Sequence, residues 1–213
     1  MFHPHPSQKL NGHFTTKPYQ GAHPRAARFL FVGLDANYSA DIELSPIFPD
    51  LLAYHHDGPS FWRKTGVHHP FLLPEYKGDG RRYHLNFSKI GFEPQHADLV
   101  SFVELLHVPT TGRSSLVQQD LAPSHLSELR HAVFDGNARF IFISAGVQRL
   151  MAASGRFPEL LSVRRSFGVL RVLYEGEDRA VFLHLHFSNY GKFEQQLREE
   201  ANEIAGLLAH GDA

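Results

Sequence analysis

The stretch Arg28-Phe29-Leu30-Phe31-Val32-Gly33-Leu34-Asp35-Ala36-Asn37-Tyr38-Ser39 marks the sharpest change of character along the chain. Phe29–Val32 is a short apolar run stopped by Gly33, the profile of a strand buried on both faces. Two more such runs follow, Leu99–Leu106 and Phe140–Ser144. Between them Ser124 is placed to cap a helix through about Phe134, with Glu128 near the position of a capping-box partner. Val147–Ala153 reads as a short helix directly after the third run. Val169–Tyr174 and Ala180–His186 flank the turn-forming Glu175-Gly176-Glu177-Asp178, which predicts a hairpin or a tight strand-to-strand connection. Phe193, Leu197, Ala201, Ile204 and Leu208 then fall at helical spacing and form one apolar face. Strands alternating with helices predict an α/β three-layer sandwich with a central, mostly parallel sheet, spanning residues 28–213. Residues 1–27 are rich in His, Pro, Gly and Thr without an apolar period. They read as an extended N-terminal arm, with His3 and His5 solvated rather than metal-binding.

Composition narrows the function classes. The 213 residues suit one domain, able to bury roughly 70% of its unfolded surface. The absence of cysteine excludes disulfides, thiolate zinc sites and iron–sulfur clusters. A net charge of −1 gives no global field to steer nucleic acid, so any such binding is local. No apolar run approaches the ~18 residues of a membrane span and no signal peptide is evident, which reads as a cytoplasmic chain. Phosphate-loop, dinucleotide-binding and nucleophile-elbow motifs are absent, so kinase, dehydrogenase and α/β-hydrolase readings have no support.

In open α/β sheets ligands collect at the carboxyl ends of strands. The first strand runs into Asp35, Asn37 and Tyr38. The second ends in Glu104 and then His107-Val108-Pro109-Thr110-Thr111-Gly112, and the last in His184-Leu185-His186-Phe187-Ser188-Asn189-Tyr190-Gly191. Together they bring a carboxylate, a histidine and aromatic rings to one rim.

In order and spacing these segments resemble the uracil-DNA glycosylase superfamily, most closely its mismatch-specific branch. Gly33-Leu34-Asp35-Ala36-Asn37-Tyr38-Ser39 is similar to the family's Gly-Ile-Asn-Pro-Gly-Leu-Ser or Gly-Gln-Asp-Pro-Tyr-His. Tyr54 followed by Phe61-Trp62-Arg63-Lys64 resembles its aromatic residue and Arg-Phe-Trp-Lys. Leu105-Leu106-His107-Val108-Pro109-Thr110 resembles Leu-Val-x-Arg-Pro-Thr, and His186-Phe187-Ser188-Asn189-Tyr190 its closing Asn-Pro-Ser-Gly-Leu or His-Pro-Ser-Pro-Leu. The resemblance covers about residues 28–208. It implies hydrolysis of the N-glycosidic bond of a flipped uracil, or another deaminated or damaged base, in single- or double-stranded DNA. The agent would be a monomeric, monofunctional base-excision enzyme with no cofactor and no metal. Extruding the base costs a few kcal/mol and requires a tight pocket. By the same resemblance, Asp35 stabilises the sugar cation and orients water, as carboxylates do in glycoside hydrolysis. His186 donates to the base oxygen as it becomes anionic. Gly33, Leu34, Tyr54 and Glu104 shape the base pocket, with Tyr54 stacking on the base and Glu104 nearest to the family's edge-reading position. Asn37, Ser39, Ser188, Asn189 and Lys192 contact DNA, and Tyr190 takes the place of the wedge.

The chain also departs from the family. Ala36 and Phe187 replace prolines that fix φ in the two loops. Asn37 stands where the uracil-specific branch has a tyrosine that excludes thymine, so base preference does not carry over. Arg63, Lys64, Arg81, Arg82, Arg113 and Lys192 are candidates for a phosphate-binding band or a solvated face. Two other readings stand beside the enzyme. One is a non-catalytic relative that binds nucleic acid, a nucleotide or a protein. The other is a metal site drawn from the sixteen histidines, for which His184 and His186 with Asp35, His55-His56 and His68-His69 are the candidates.

Overall fold

The computed structural model describes residues 2–112 and 115–209. Its strands are β1 (Tyr19–Gly21), β2 (Phe29–Gly33), β3 (Val100–Glu104), β4 (Phe140–Ser144), β5 (Arg165–Phe167), β6 (Leu170–Glu175) and β7 (Ala180–His184). Its helices are α1 (Gln8–Thr16), α2 (Phe48–His56), α3 (Gly58–Thr65), α4 (Arg81–Ser88), α5 (Pro123–Phe134), α6 (Ala145–Ala153) and α7 (Glu194–Ala209). The strands form one seven-stranded sheet in the order β1-β3-β2-β4-β7-β6-β5. The central β3, β2, β4 and β7 run parallel, and the outer strands join antiparallel. The protein is thus α/β with a mixed sheet, and β6–β7 is the expected hairpin.

Side-chain alternation sorts the parallel strands into two unlike faces. Phe29, Phe31, Phe102, Phe142 and Phe182 point one way, and are covered by Phe87 of α4, Trp62 of α3 and Leu197, Ala201 and Ile204 of α7. Their rings form a ladder across the sheet. Phe31 lies 4.8 Å from Phe142 and 5.6 Å from Phe102, and Phe142 lies 5.4 Å from Phe182, all stacked. The opposite face is aliphatic: Leu30, Val32, Ile141, Ile143, Val181 and Leu183 pack against Leu126, Leu129 and Val133 of α5 and Val147 and Met151 of α6. Helices therefore cover both faces of the sheet.

The N-terminal segment is not an extended arm. Ser7 caps α1 by accepting from the Leu10 N–H at 3.2 Å, and Leu10 and Phe14, one turn apart, are buried against α2 and the loop after β2. β1 then adds to the sheet beside β3. His5 is also buried. Its Nδ1 accepts from the Ser7 N–H at 3.0 Å, which leaves Nε2–H to donate to the Ser39 carbonyl at 2.9 Å. A polar helix that buries only two residues has too short an apolar period to stand out in sequence. Phe14→Ala should cost about 3–5 kcal/mol, read as a lowered melting temperature. An appended arm would leave the melt unchanged.

Boundaries shift for local reasons. β3 ends at Glu104, after which the N–H groups of Leu105 and Leu106 donate to the carbonyls of Gly33 and Leu34 at 3.0 and 3.1 Å. Pro123 opens α5, so Ser124 lies inside its first turn, and Glu128 pairs with Arg25 at 2.7 Å instead of closing a capping box. Among the described residues no helix is long and apolar enough to cross a membrane.

Candidate functional site

The chain passes from β2 to β3 on one side and then adds β4 on the other. The carboxyl end of β2 is therefore a topological switch point. A cleft of about 280 Å³ opens there, close to the lower end, about 300 Å³, of ordinary small-molecule sites. Gly33, Leu34, Asp35, Asn37, Glu104, His186 and Ser188 all line it.

Its floor follows from strand parity. Gly33 and Glu104 are register partners at the ends of β2 and β3, on the face that carries the phenylalanine ladder. A Cβ at Gly33 would overlap the Glu104 carboxyl, so glycine is what lets that carboxyl lie over the strand end. Burial, and then the neighbouring Asp35, push the Glu104 carboxyl up to about 8, so it carries a proton at neutral pH.

Asp35 is held by the loop geometry. The N–H of Thr110 donates to the Ala36 carbonyl at 2.9 Å, and the Tyr38 N–H donates back to the Thr110 carbonyl at 3.0 Å. Pairing between the two strands thus continues past their ends. The buried Thr110 hydroxyl then donates to Asp35 Oδ2 at 2.5 Å. Asn37 spends its amide inside the protein, donating to Thr110 Oγ1 at 3.0 Å and to the Gly112 carbonyl at 2.6 Å.

His186 lies beyond the end of β7. The Ser188 N–H donates to its Nδ1 at 3.2 Å and the Ser188 hydroxyl at 2.6 Å, so the ring's own proton sits on Nε2. Burial pulls the imidazole down and Asp35 partly opposes it, which leaves a neutral N–H donor. Phe187 is fixed by burial. Its ring packs among Phe31, Tyr83 and His184, and its carbonyl accepts from Asn86 Nδ2 at 2.6 Å. Asn189 braces the same loop by donating to the His186 carbonyl at 2.9 Å.

Several expected contacts are not brought to the cleft. Tyr54 does not line it. The residue is 1% exposed on α2, packed on Phe61 and His69, with its hydroxyl donating to Gln20 Oε1 at 3.5 Å. Aromatic surface comes instead from Tyr83, Phe71, His69 and His84. His69 and His84 stack at 3.7 Å and 7°, and His68 Nε2 meets His84 Nδ1 at 3.1 Å. Burial holds all three well below the usual histidine range. Ser39 also lies off the cleft. Tyr190 is 66% exposed, with the Arg82 guanidinium 4.3 Å from its ring centre.

Two residues of the basic band are committed elsewhere. Arg63 pairs with Asp98 at 2.7 Å, and Arg81 donates to the carbonyls of Phe71, Leu73 and Tyr76. Arg82 stays near Tyr190, Lys192 sits by the Phe193 ring at 5.1 Å and Lys64 is exposed on α3. Arg113 lies outside the described residues.

Among the lining residues that sequence reading missed, with Phe71, Tyr83 and His84, is Gln20. β1 carries it to the cleft, where its Nε2 donates to the Tyr38 hydroxyl at 3.2 Å. Nothing in a three-residue polar strand announces it. Tyr83 and Phe87, by contrast, stand four apart with Ile90 three further on, a helical spacing that marks α4. Among the described residues no group of three or more His, Asp or Glu is arranged to hold a metal ion. No protein-family model and no curated protein sequence matches the chain.

Proposed function

We propose that the protein has a uracil-DNA glycosylase-like fold and releases a deaminated or damaged base from DNA by hydrolysing its N-glycosidic bond. The carrying observation is that Asp35 and a neutral His186 with its proton on Nε2 line the same small cleft at the switch point of the sheet. In this reading the flipped base lies on the aromatic wall of Tyr83, His84 and Phe71, in the role expected of Tyr54. Asp35 orients water and offsets the positive charge that develops on the sugar. His186 donates through Nε2 to the base oxygen as negative charge gathers there. Tyr190 and Arg82, exposed beside the cleft, face the strand from which the base leaves. The partner is DNA carrying the base, and the protein acts on it as a cytoplasmic monomer.

The test is base release from labelled oligonucleotides, read as strand scission after alkali. His186→Ala should lower it by about 10²–10³-fold, the usual cost of one lost donor to a developing anion. A non-catalytic binding module is the second reading, favoured by the internal commitment of Arg63, Arg81 and Asn37. It predicts no product from any oligonucleotide, together with affinity that falls on Tyr83→Ala.

A further inference from the structure

We propose that Glu104 is the general acid of this reaction, handing a proton to the departing base while Asp35 accepts one from the attacking water. The inference rests on the glycosylase reading and adds to it a step that the resemblance does not supply. Its ground is the way Glu104 is housed. The carboxyl occupies the space left by the missing Cβ of Gly33, at the floor of the cleft. Among the described residues its side chain receives no hydrogen bond. Asp35 and Tyr38 from the loop after β2, Tyr54 of α2 and Tyr83 of α4 act on it electrostatically, and His69, His84 and His186 line the same cleft. No lysine or arginine is among the described residues lining the cleft. A partly buried carboxyl with a second carboxyl beside it and no cation among the described residues of the cleft keeps its proton, the arrangement that makes one member of a carboxyl pair an acid.

The step balances. The bond between base and sugar breaks with its electron pair going to the base, and the Glu104 O–H proton follows onto the base. The water oxygen bonds to the sugar carbon, and its proton passes to Asp35. Asp35 then returns that proton to the neighbouring Glu104 carboxylate, so the pair ends as it began. The sum is one water consumed, one free base and one hydroxylated sugar released.

Leaving-group chemistry tests this directly. Wild type and Glu104→Gln are compared at pH 7 on matched oligonucleotides carrying uracil or 5-fluorouracil, whose anion leaves more readily. Glu104→Gln should slow uracil release by about 10²–10⁴-fold, the usual worth of a general acid, and 5-fluorouracil release by less than about tenfold. An equal loss on both bases would make Glu104 a pocket-shaping residue only and overturn the proposal, as would no loss at all. If Glu104→Gln does not fold, the wild type alone decides. Its rate on uracil should fall about tenfold per pH unit above about 8, and a flat profile overturns the proposal. Wild type that releases neither base overturns the glycosylase reading and this step with it, an outcome distinct from either of the others.

Discussion

Asp35→Asn should lower base release by about 10²–10³-fold while leaving the melting temperature close to that of wild type. The substitution keeps the shape of the side chain and an oxygen to accept from the Thr110 hydroxyl, so the loop that continues the β2–β3 pairing stays pinned. What it removes is charge. In a cleft whose other carboxyl is protonated, Asp35 supplies the negative charge that offsets the sugar cation, and Asn supplies none. Asp35→Ala should show the same catalytic loss with an added stability cost of about 1–3 kcal/mol, because the buried Thr110 hydroxyl loses that acceptor. Single-turnover scission assays beside thermal melts separate the two effects. Full activity in Asp35→Asn would remove Asp35 from the chemistry and leave it as a loop brace.

Acid should unfold the protein abruptly. Burial pulls His55, His68 and His184 down to about 3 and His69 and His84 well below the usual range. In the unfolded chain each titrates near 6.5. Below that pH the unfolded state takes up protons that the folded state refuses, so stability is full above about 6.5 and is lost as pH falls toward 3. Each histidine contributes up to about 1.4 kcal/mol per pH unit. Glu104 and Glu200 act the other way. Their carboxyls are raised in the folded state, chiefly by burial, and hold protons that the unfolded chain has released above about 4.5. The histidines that burial depresses outnumber these two carboxyls, so the net effect of acid is destabilising. Urea midpoints at pH 7, 6 and 5 should fall steeply, and equal midpoints would contradict the burial of these rings as neutral groups.

The sheet was legible because strand parity is a local property. Phe29, Phe31 and Gly33 share one face, as do Phe102 and Glu104, so the meeting of a glycine and a carboxyl at the strand ends can be read from spacing alone. The hairpin and α7 likewise carry their own period. The first third of the domain does not. α1 to α4 are eight or nine residues long, and their few buried positions are set by what packs on them rather than by a sustained stripe. For that reason β1 and Gln20 leave no mark in the sequence, which reads His5 as solvated. Tyr54 shows the limit for site residues. A tyrosine on a short helix can face the ligand or the core, and only the packing of α2 on α3 and β1 turns it inward. Asp35 and His186 are legible as cleft-lining residues because loops at strand ends converge wherever the sheet is parallel.

The most direct test of the account is base release by the wild-type protein. Labelled oligonucleotides carrying uracil, hypoxanthine, xanthine or a mismatched thymine, in single-stranded and duplex form, would be incubated with wild type and with Asp35→Asn, then treated with alkali. Wild type should give abasic product on at least one base, and Asp35→Asn should give it at least about a hundredfold more slowly. Folded wild-type protein that yields no product on any of them would contradict it, leaving a binding cleft without the chemistry.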